Sequence, residues 1–282
     1  MRRNYYNEKS KKQPHETRIS QRKSLGQVFL NTDWPVKRVV EQLSDLDVKR
    51  VIEIGPGNGI LTEALAAAGI KVTAIEKDDR FAERLSERIR HGELPGVEII
   101  NLDILQFDLE NWIHAAGHEP AAVVGNIPYN ISTPIVMWTL PLLSKLKAAI
   151  FMVQLEFAQR LSAACDSKDY GSLSVYCQLR AFCDFNFKVD KTCFNPIPKV
   201  DSAVITLRPR AEALAKATTL QYAETICRIV FTQRRKKLRN TIKPFLKDRD
   251  DSECPIDLNR RPETLTPLDF IHLTEFLFHD KI

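Results

Sequence analysis

Between residues 50 and 153 the chain alternates short apolar runs with longer amphipathic ones. Short, mainly apolar runs bounded by turn residues predict buried strands at 51–54, 71–75, 97–100, 121–124 and 148–153. Helical spacing fills the gaps. One helix runs through Val39, Val40 and Leu43 to near Asp45, with Pro35 near its start and Asp33 as cap candidate. Others are predicted over 62–68, closed by Gly69, and over 79–90, which is charged and amphipathic. Residues 131–143 read as helical or mixed, with breaks at Pro134 and Pro141. This alternation predicts an α/β fold with a parallel, doubly wound sheet.

After about residue 155 the rhythm changes. Residues 171–183 read as helical, 185–189 and 203–207 as antiparallel strands, and 194–199 as a stiff Pro-rich loop. From about residue 210 only helices are predicted, over 220–231, 234–245 and 267–278. Three regions follow: a flexible basic arm over 1–20, an α/β domain over 21–209, and a small all-helical domain over 210–282.

Charge sharpens this division. The net charge is +5, yet residues 1–24 carry +6 and residues 228–247 carry +8, leaving −9 for the rest. Two basic segments on an acidic body predict a polyanionic partner met at defined places. No apolar run is long enough to span a bilayer, and the charged N-terminus has no apolar core of a signal peptide. The six cysteines form no CxxC pair, and His114 and His118 have no carboxylate pattern around them, so no metal site is expected. Unpaired thiols in apolar segments fit a reducing, cytoplasmic setting.

The candidate chemistry sits at the strand ends. Gly55, Gly57 and Gly59 form a strand–turn–helix junction of the kind that holds nucleotides. Ile60 stands where a dinucleotide fingerprint needs its third glycine, and no Gly-Lys-Ser/Thr follows, so neither NAD nor a nucleoside triphosphate fits well. Glu53 precedes the turn and would repel pyrophosphate. Glu76 ends the second strand, where an acid accepts from ribose hydroxyls; Asp103 ends the third, placed to accept from an adenine amine. An acid-lined adenosyl site without phosphates points to S-adenosylmethionine. The segment Asn126-Ile127-Pro128-Tyr129 follows the fourth strand. An amide beside an aromatic face suits a planar base with an exocyclic amine.

These segments carry a resemblance. SLGQVFL, EIGPGNGILT, AIEKDDR, NIPYNISTPI, YGSLSVYCQ, FNPIPKVDSAV and FTQRRKKLRN run in order from Ser24 to Asn240. They resemble the ribosomal RNA adenine N6,N6-dimethyltransferases, and within them the bacterial members that act on small-subunit RNA. The resemblance implies a Rossmann-like methyltransferase domain with a helical RNA-binding domain. It implies cofactor contacts from Val28, Leu30, Gly55, Glu76, Asp103 and Asn126. For catalysis it implies Asn126, with a backbone carbonyl around Ile127 or Pro128, a base stacked on Tyr129, and Phe194 over the other base face. Arg234, Arg235, Lys236, Lys237 and Arg239 would grip RNA phosphates from a helix. The substrate implied is two adjacent adenosines in a loop near the 3′ end of 16S RNA, presented by an immature subunit to a monomeric enzyme. The chain departs from the family at Val28, where Asn or His is usual, and at Leu155, where Lys is common. Two other readings remain: a catalytically silent RNA-binding assembly factor of the same fold, and a DNA adenine methylase, whose tetrapeptide is more often Asp-Pro-Pro-Tyr.

Overall fold

The computed structural model describes residues 27–246 and 249–279; the expected basic arm over 1–20 lies outside them. In chain order the elements are β1 (Phe29–Leu30), α1 (Trp34–Asp45), β2 (Arg50–Ile54), α2 (Ile60–Ala67), β3 (Lys71–Glu76), α3 (Asp79–Arg90), β4 (Val97–Asn101) and α4 (Leu109–Ala116). There follow β5 (Ala121–Asn126), α5 (Ser132–Thr139), β6 (Ala148–Gln154), α6 (Leu155–Ser162), α7 (Ser172–Arg180), β7 (Ala181–Val189), β8 (Phe194–Asn195) and β9 (Ser202–Pro209). Three helices close the chain: α8 (Ala217–Phe231), α9 (Leu238–Leu246) and α10 (Pro267–Phe278).

One seven-stranded sheet runs β4-β3-β2-β5-β6-β9-β7; the first five strands are parallel and the last two antiparallel to their neighbours. Strand order reverses between β2 and β5, and ligands of open α/β sheets bind at such a switch point, beyond the strands' carboxyl ends. The strand residues are apolar on both sides because helices cover both faces. Ile52, Val123 and Phe151 face α4, α5 and α6; Val51, Val124 and Ile150 face α1 and α2. A separate two-stranded ribbon pairs β1 with β8, Phe29 opposite Asn195 and Leu30 opposite Phe194.

Helices α4 and α6 and the β1–β8 ribbon have no counterpart among the predicted elements, and three further differences have local causes. Residues 181–183 belong to β7, not to the preceding helix, because they pair with β9 from Ala181 onward. Pro134 does not break α5; it sits in the first turn, where a missing N–H costs nothing. The helix expected over 234–245 begins only at Leu238, since the backbone N–H groups of Leu238 and Arg239 donate to Arg260 and Leu258 of a neighbouring loop. The helical C-terminal core also reaches back before residue 210: Ala163, Tyr170, Val175 and Leu179 pack with α8, α9 and α10, and Tyr170 donates from its hydroxyl to Leu265 O at 2.8 Å.

Candidate active site

The site forms where the loops after β2, β3, β4 and β5 meet a strap made by residues 27–30. A single cavity there is lined by Val28, Leu30, Gly55, Glu76, Asp103 and Asn126, the six residues expected to hold a cofactor. Ile127 and Pro128 also line it. So do residues that sequence reasoning passed over: Phe29, Lys77, Leu102, Ile104 and Met152. Leu102 and Ile104 flank Asp103 directly, so an apolar-acid-apolar pattern past a strand end was the available signal.

The glycine turn is shaped for close approach. Gly55, Gly57 and Gly59 all have positive φ, at 63°, 54° and 87°. At Gly57 a Cβ would lie 2.7 Å from Cε1 of Phe29, so the strap's ring occupies the space that a side chain would need. Phe29 also packs on Phe81 of α3, ring centroids 5.1 Å apart. Gln27 anchors the strap again, donating to Asp78 Oδ2 at 2.9 Å. Arg80, hydrogen-bonded to Asp78, holds that carboxyl well below the usual carboxylate range.

Two carboxylates in this wall are buried. Glu53 is 1% exposed and accepts from the Thr62 hydroxyl at 2.7 Å. Burial pushes its pKa up to about 8, against the lowering effect of that hydrogen bond; the nearby Glu76 raises it further. Glu76 is 6% exposed and accepts from the backbone N–H groups of Gly57 (3.1 Å) and Asp78 (2.8 Å), which fixes the carboxylate between the turn and α3. Burial raises its pKa as well. Neither has a lysine or arginine partner among the described ion pairs. Asp103 does: Lys77 Nζ lies 2.7 Å from its Oδ2, and this contact lowers its pKa. An acid-lined cavity with no lysine or arginine paired to Glu53 or Glu76 among the described ion pairs suits a cationic ligand better than an anionic one, and an adenosyl sulfonium meets that requirement.

Asn126 ends β5 and faces the same cavity. Its Nδ2 donates to the Val28 carbonyl at 3.0 Å. A carbonyl only accepts, so the amide cannot be turned the other way round. Oδ1 is therefore the free end, and it is buried with no donor. The carbonyls that follow differ. Pro128 O already accepts from Ile131 N at 3.1 Å and from the Ser132 hydroxyl at 3.3 Å. Ile127 O has no donor among the described hydrogen bonds, while Ile127 N is tied to Met152 O at 3.0 Å. Val28 meets Asn126 through its backbone carbonyl.

The two expected aromatic partners are placed differently. Tyr129 is half-buried beside the cavity and does not line it; its hydroxyl is 2.8 Å from Ser202 Oγ. Phe194 is 1% exposed. In the two-residue strand β8 successive side chains point to opposite sides, so with Asn195 outside, Phe194 turns inward among the residues packed on α1. The expectation that Phe194 covers the second base face is not met in this arrangement, because its ring is enclosed in the core. Leu155 opens α6, and its N–H donates to Asp201 O at 3.0 Å.

The expected phosphate-binding residues are also redistributed. Arg234, Arg235, Lys236 and Lys237 lie in a turn ahead of α9, and only Arg239 is in the helix. Arg234 donates to Ser167 O at 3.2 Å, Lys237 to Asn259 Oδ1 at 3.3 Å, and Arg239 pairs with Asp251 at 3.0 Å. Arg235 and Lys236 are exposed, and their side chains have no partner among the described contacts.

The parallel sheet, the glycine turn and the acids on successive strand ends define a Rossmann-like S-adenosylmethionine-dependent methyltransferase. The family described as "Ribosomal RNA adenine dimethylase" matches residues 18–277, and the chain belongs to it. Curated relatives named ribosomal RNA small subunit methyltransferase A are 36% identical in Pseudomonas aeruginosa, over 91% of this chain and 94% of the relative. The protein of that name in Acinetobacter baylyi is 37% identical, over 93% and 94%. Among solved structures, the 23S rRNA methyltransferase ErmE is 31% identical with a TM-score of 0.64, covering 88% of this chain and 99% of its own. A dimethyladenosine transferase from Plasmodium falciparum shares the fold at 23% identity and a TM-score of 0.69, covering 87% and 96%. The chain is thus an rRNA adenine dimethyltransferase, and S-adenosylmethionine is its methyl donor. Among the described residues no helix is long and apolar enough to cross a membrane.

Proposed function

We propose that this enzyme dimethylates N6 of two adjacent adenosines in a loop near the 3′ end of small-subunit rRNA, acting as a monomer on an immature subunit. One observation carries the site assignment: a buried Asn126 Oδ1 with no donor, at the end of the strand that borders the glycine turn. The small-subunit relatives support the choice of RNA; the fold does not, since ErmE shares it.

The donor set fits the cofactor. Glu76 would accept from the ribose hydroxyls, Asp103 from the adenine amine, and the glycine turn would take the methionine end. When bound, S-adenosylmethionine supplies an electrophilic methyl on a positively charged sulfur. The chain's own part is positioning. An adenine amine has two N–H bonds and a lone pair delocalised into the ring. Asn126 Oδ1 and Ile127 O are acceptors without a donor among the described hydrogen bonds, and accepting from both N–H bonds favours a pyramidal nitrogen with its lone pair aimed along one line. Tyr129 would offer a face for stacking once the base arrives. Holding two reactants in line supplies up to ~7–11 kcal/mol of barrier reduction in favourable cases. The strap of residues 27–30 would close over the same space. A strong general base is not needed, because the amine is neutral and sheds its proton after transfer. Phosphate contacts fall to Arg235 and Lys236, whose charges are uncommitted among the described contacts.

The test is direct. The protein is incubated with S-adenosylmethionine and small subunits lacking the modification, and the rRNA is digested and mapped by mass spectrometry. The proposal requires N6,N6-dimethyladenosine at two neighbouring positions. RNA binding without methyl transfer would favour a silent assembly factor; with large subunits supplied in a parallel reaction, methylation of their RNA and not of the small-subunit RNA would overturn the substrate.

A further inference from the structure

A base that reacts inside a pocket must first leave its stack, and the gap it leaves has to be filled or paid for. The loop between β8 and β9 carries a candidate filler. Ile197 is 63% exposed, above every other exposed large apolar side chain described. A lone exposed aliphatic residue is ordinary on a protein surface. Three features set this one apart.

The first is location. Ser202 begins β9 opposite Gln154, at the carboxyl end of β6, and Asn126 lies opposite Met152 on the next strand over. The loop therefore stands at the reacting end of the sheet. The second is rigidity. Pro196 and Pro198 flank Ile197 and fix its neighbours' φ. The loop is held at both ends: Asn195 pairs with Phe29 of the strap, and Ser202 is bonded to Tyr129. Asp201, the last residue before β9, accepts from Lys191 N at 3.0 Å and pairs with Lys188 at 2.7 Å. The third is company. Val200 is also exposed, at 45%, and Lys199 between them is exposed and unpaired among the described contacts. A branched aliphatic knob beside a free cation suits a stacked base step with its phosphate.

We propose that Ile197 is an RNA wedge, entering the stack at the position vacated by the target adenosine while Lys199 meets the adjoining phosphate. This rests on the adenosine-modifying reading above. Through the Ser202–Tyr129 bond, the wedge and the pocket form one rigid unit. Ile197 does not touch the reacting atoms; it is a positioning residue that stabilises the unstacked form of the RNA.

The test compares wild type, Ile197→Ala and Ile197→Met on small-subunit particles reconstituted with rRNA carrying 2-aminopurine in place of one target adenosine. Binding of wild type should raise the 2-aminopurine fluorescence as the base unstacks. Ile197→Ala should lose most of that rise and lower kcat/KM for methylation of unlabelled particles about tenfold. Ile197→Met should restore both. Cofactor affinity and melting temperature should stay at wild-type values in both variants. Fluorescence and kcat/KM unchanged in Ile197→Ala would overturn the wedge, as would a loss that Met fails to restore. Because the fluorescence reads unstacking without turnover, a wild-type enzyme that unstacks the base yet transfers no methyl would count against the proposed function and not against the wedge.

Discussion

Asn126 and Val28, 98 residues apart, are joined by one hydrogen bond of 3.0 Å from the amide Nδ2 to the backbone carbonyl. The bond does two things. It orients the amide so that its acceptor is left over, and it closes the strap on the strand that carries the chemistry. Asn126→Asp places a carboxylate oxygen against the Val28 carbonyl, acceptor facing acceptor. The lost bond and its unpaired partner should cost about 1–3 kcal/mol in strap closure. Calorimetry should show weaker S-adenosylmethionine binding; unchanged affinity would mean that the strap does not retain the cofactor.

Gly57 is the tightest point under that strap. Gly57→Ala adds a methyl 2.7 Å from the Phe29 ring and keeps a positive φ. The backbone strain alone is of order 1–3 kcal/mol. Melting temperature and cofactor affinity should both fall. Adding Phe29→Ala should relieve the steric part of the Gly57→Ala defect and leave the strain. If the double variant is no better than the additive sum of the single losses, the two residues are not in the contact described.

Glu53 gives a pH signature. Its folded pKa of about 8 lies above the 4.5 of the free side chain, so the folded state holds a proton that the unfolded state releases. Stability from this group is therefore fully present below about pH 4.5 and is lost as pH rises toward 8. At pH 7 the loss is roughly 3 kcal/mol as an upper figure. Glu53→Gln should raise the melting temperature more at pH 8 than at pH 5.5. A stability difference independent of pH would show that Glu53 titrates as an ordinary carboxylate.

Arg235 and Lys236 should carry the salt dependence of RNA binding. Each phosphate contact contributes ~0.7–0.9 to the slope of log affinity against log salt. Replacing both with alanine should flatten the slope by about twice that, whereas Arg239→Ala should change it less, since Arg239 is already paired with Asp251. Measured binding at three salt concentrations suffices; an unchanged slope would move the RNA surface elsewhere.

Much of the fold was legible because strands buried on both faces read as plain apolar runs. The predicted spans 79–90 and 267–278 coincide with α3 and α10, where a capping Asp78 and the Thr266–Asp269 capping box mark the starts locally. Glu76, Asp103 and Asn126 were findable because a strand end is both a pattern boundary and a ligand position. Position 181 was not: Ala181, Phe182 and Cys183 continue a helical pattern, and only pairing with β9 makes them a strand. The basic turn was missed for the same reason, since bonds from Leu238 and Arg239 to a loop some twenty residues later decide where α9 starts. Phe194 lies in a known type of motif, but whether its ring faces in or out depends on the partner strand β1, which no local pattern records.

The account stands or falls on Asn126 as the acceptor that aligns the amine. Single-turnover methyl transfer by Asn126→Ala, with RNA and S-adenosylmethionine both saturating, measures this apart from binding. The rate should fall at least ~100-fold, the scale seen when a preorganised hydrogen-bonding group is removed from a reacting centre. A rate within about tenfold of wild type would contradict the assignment.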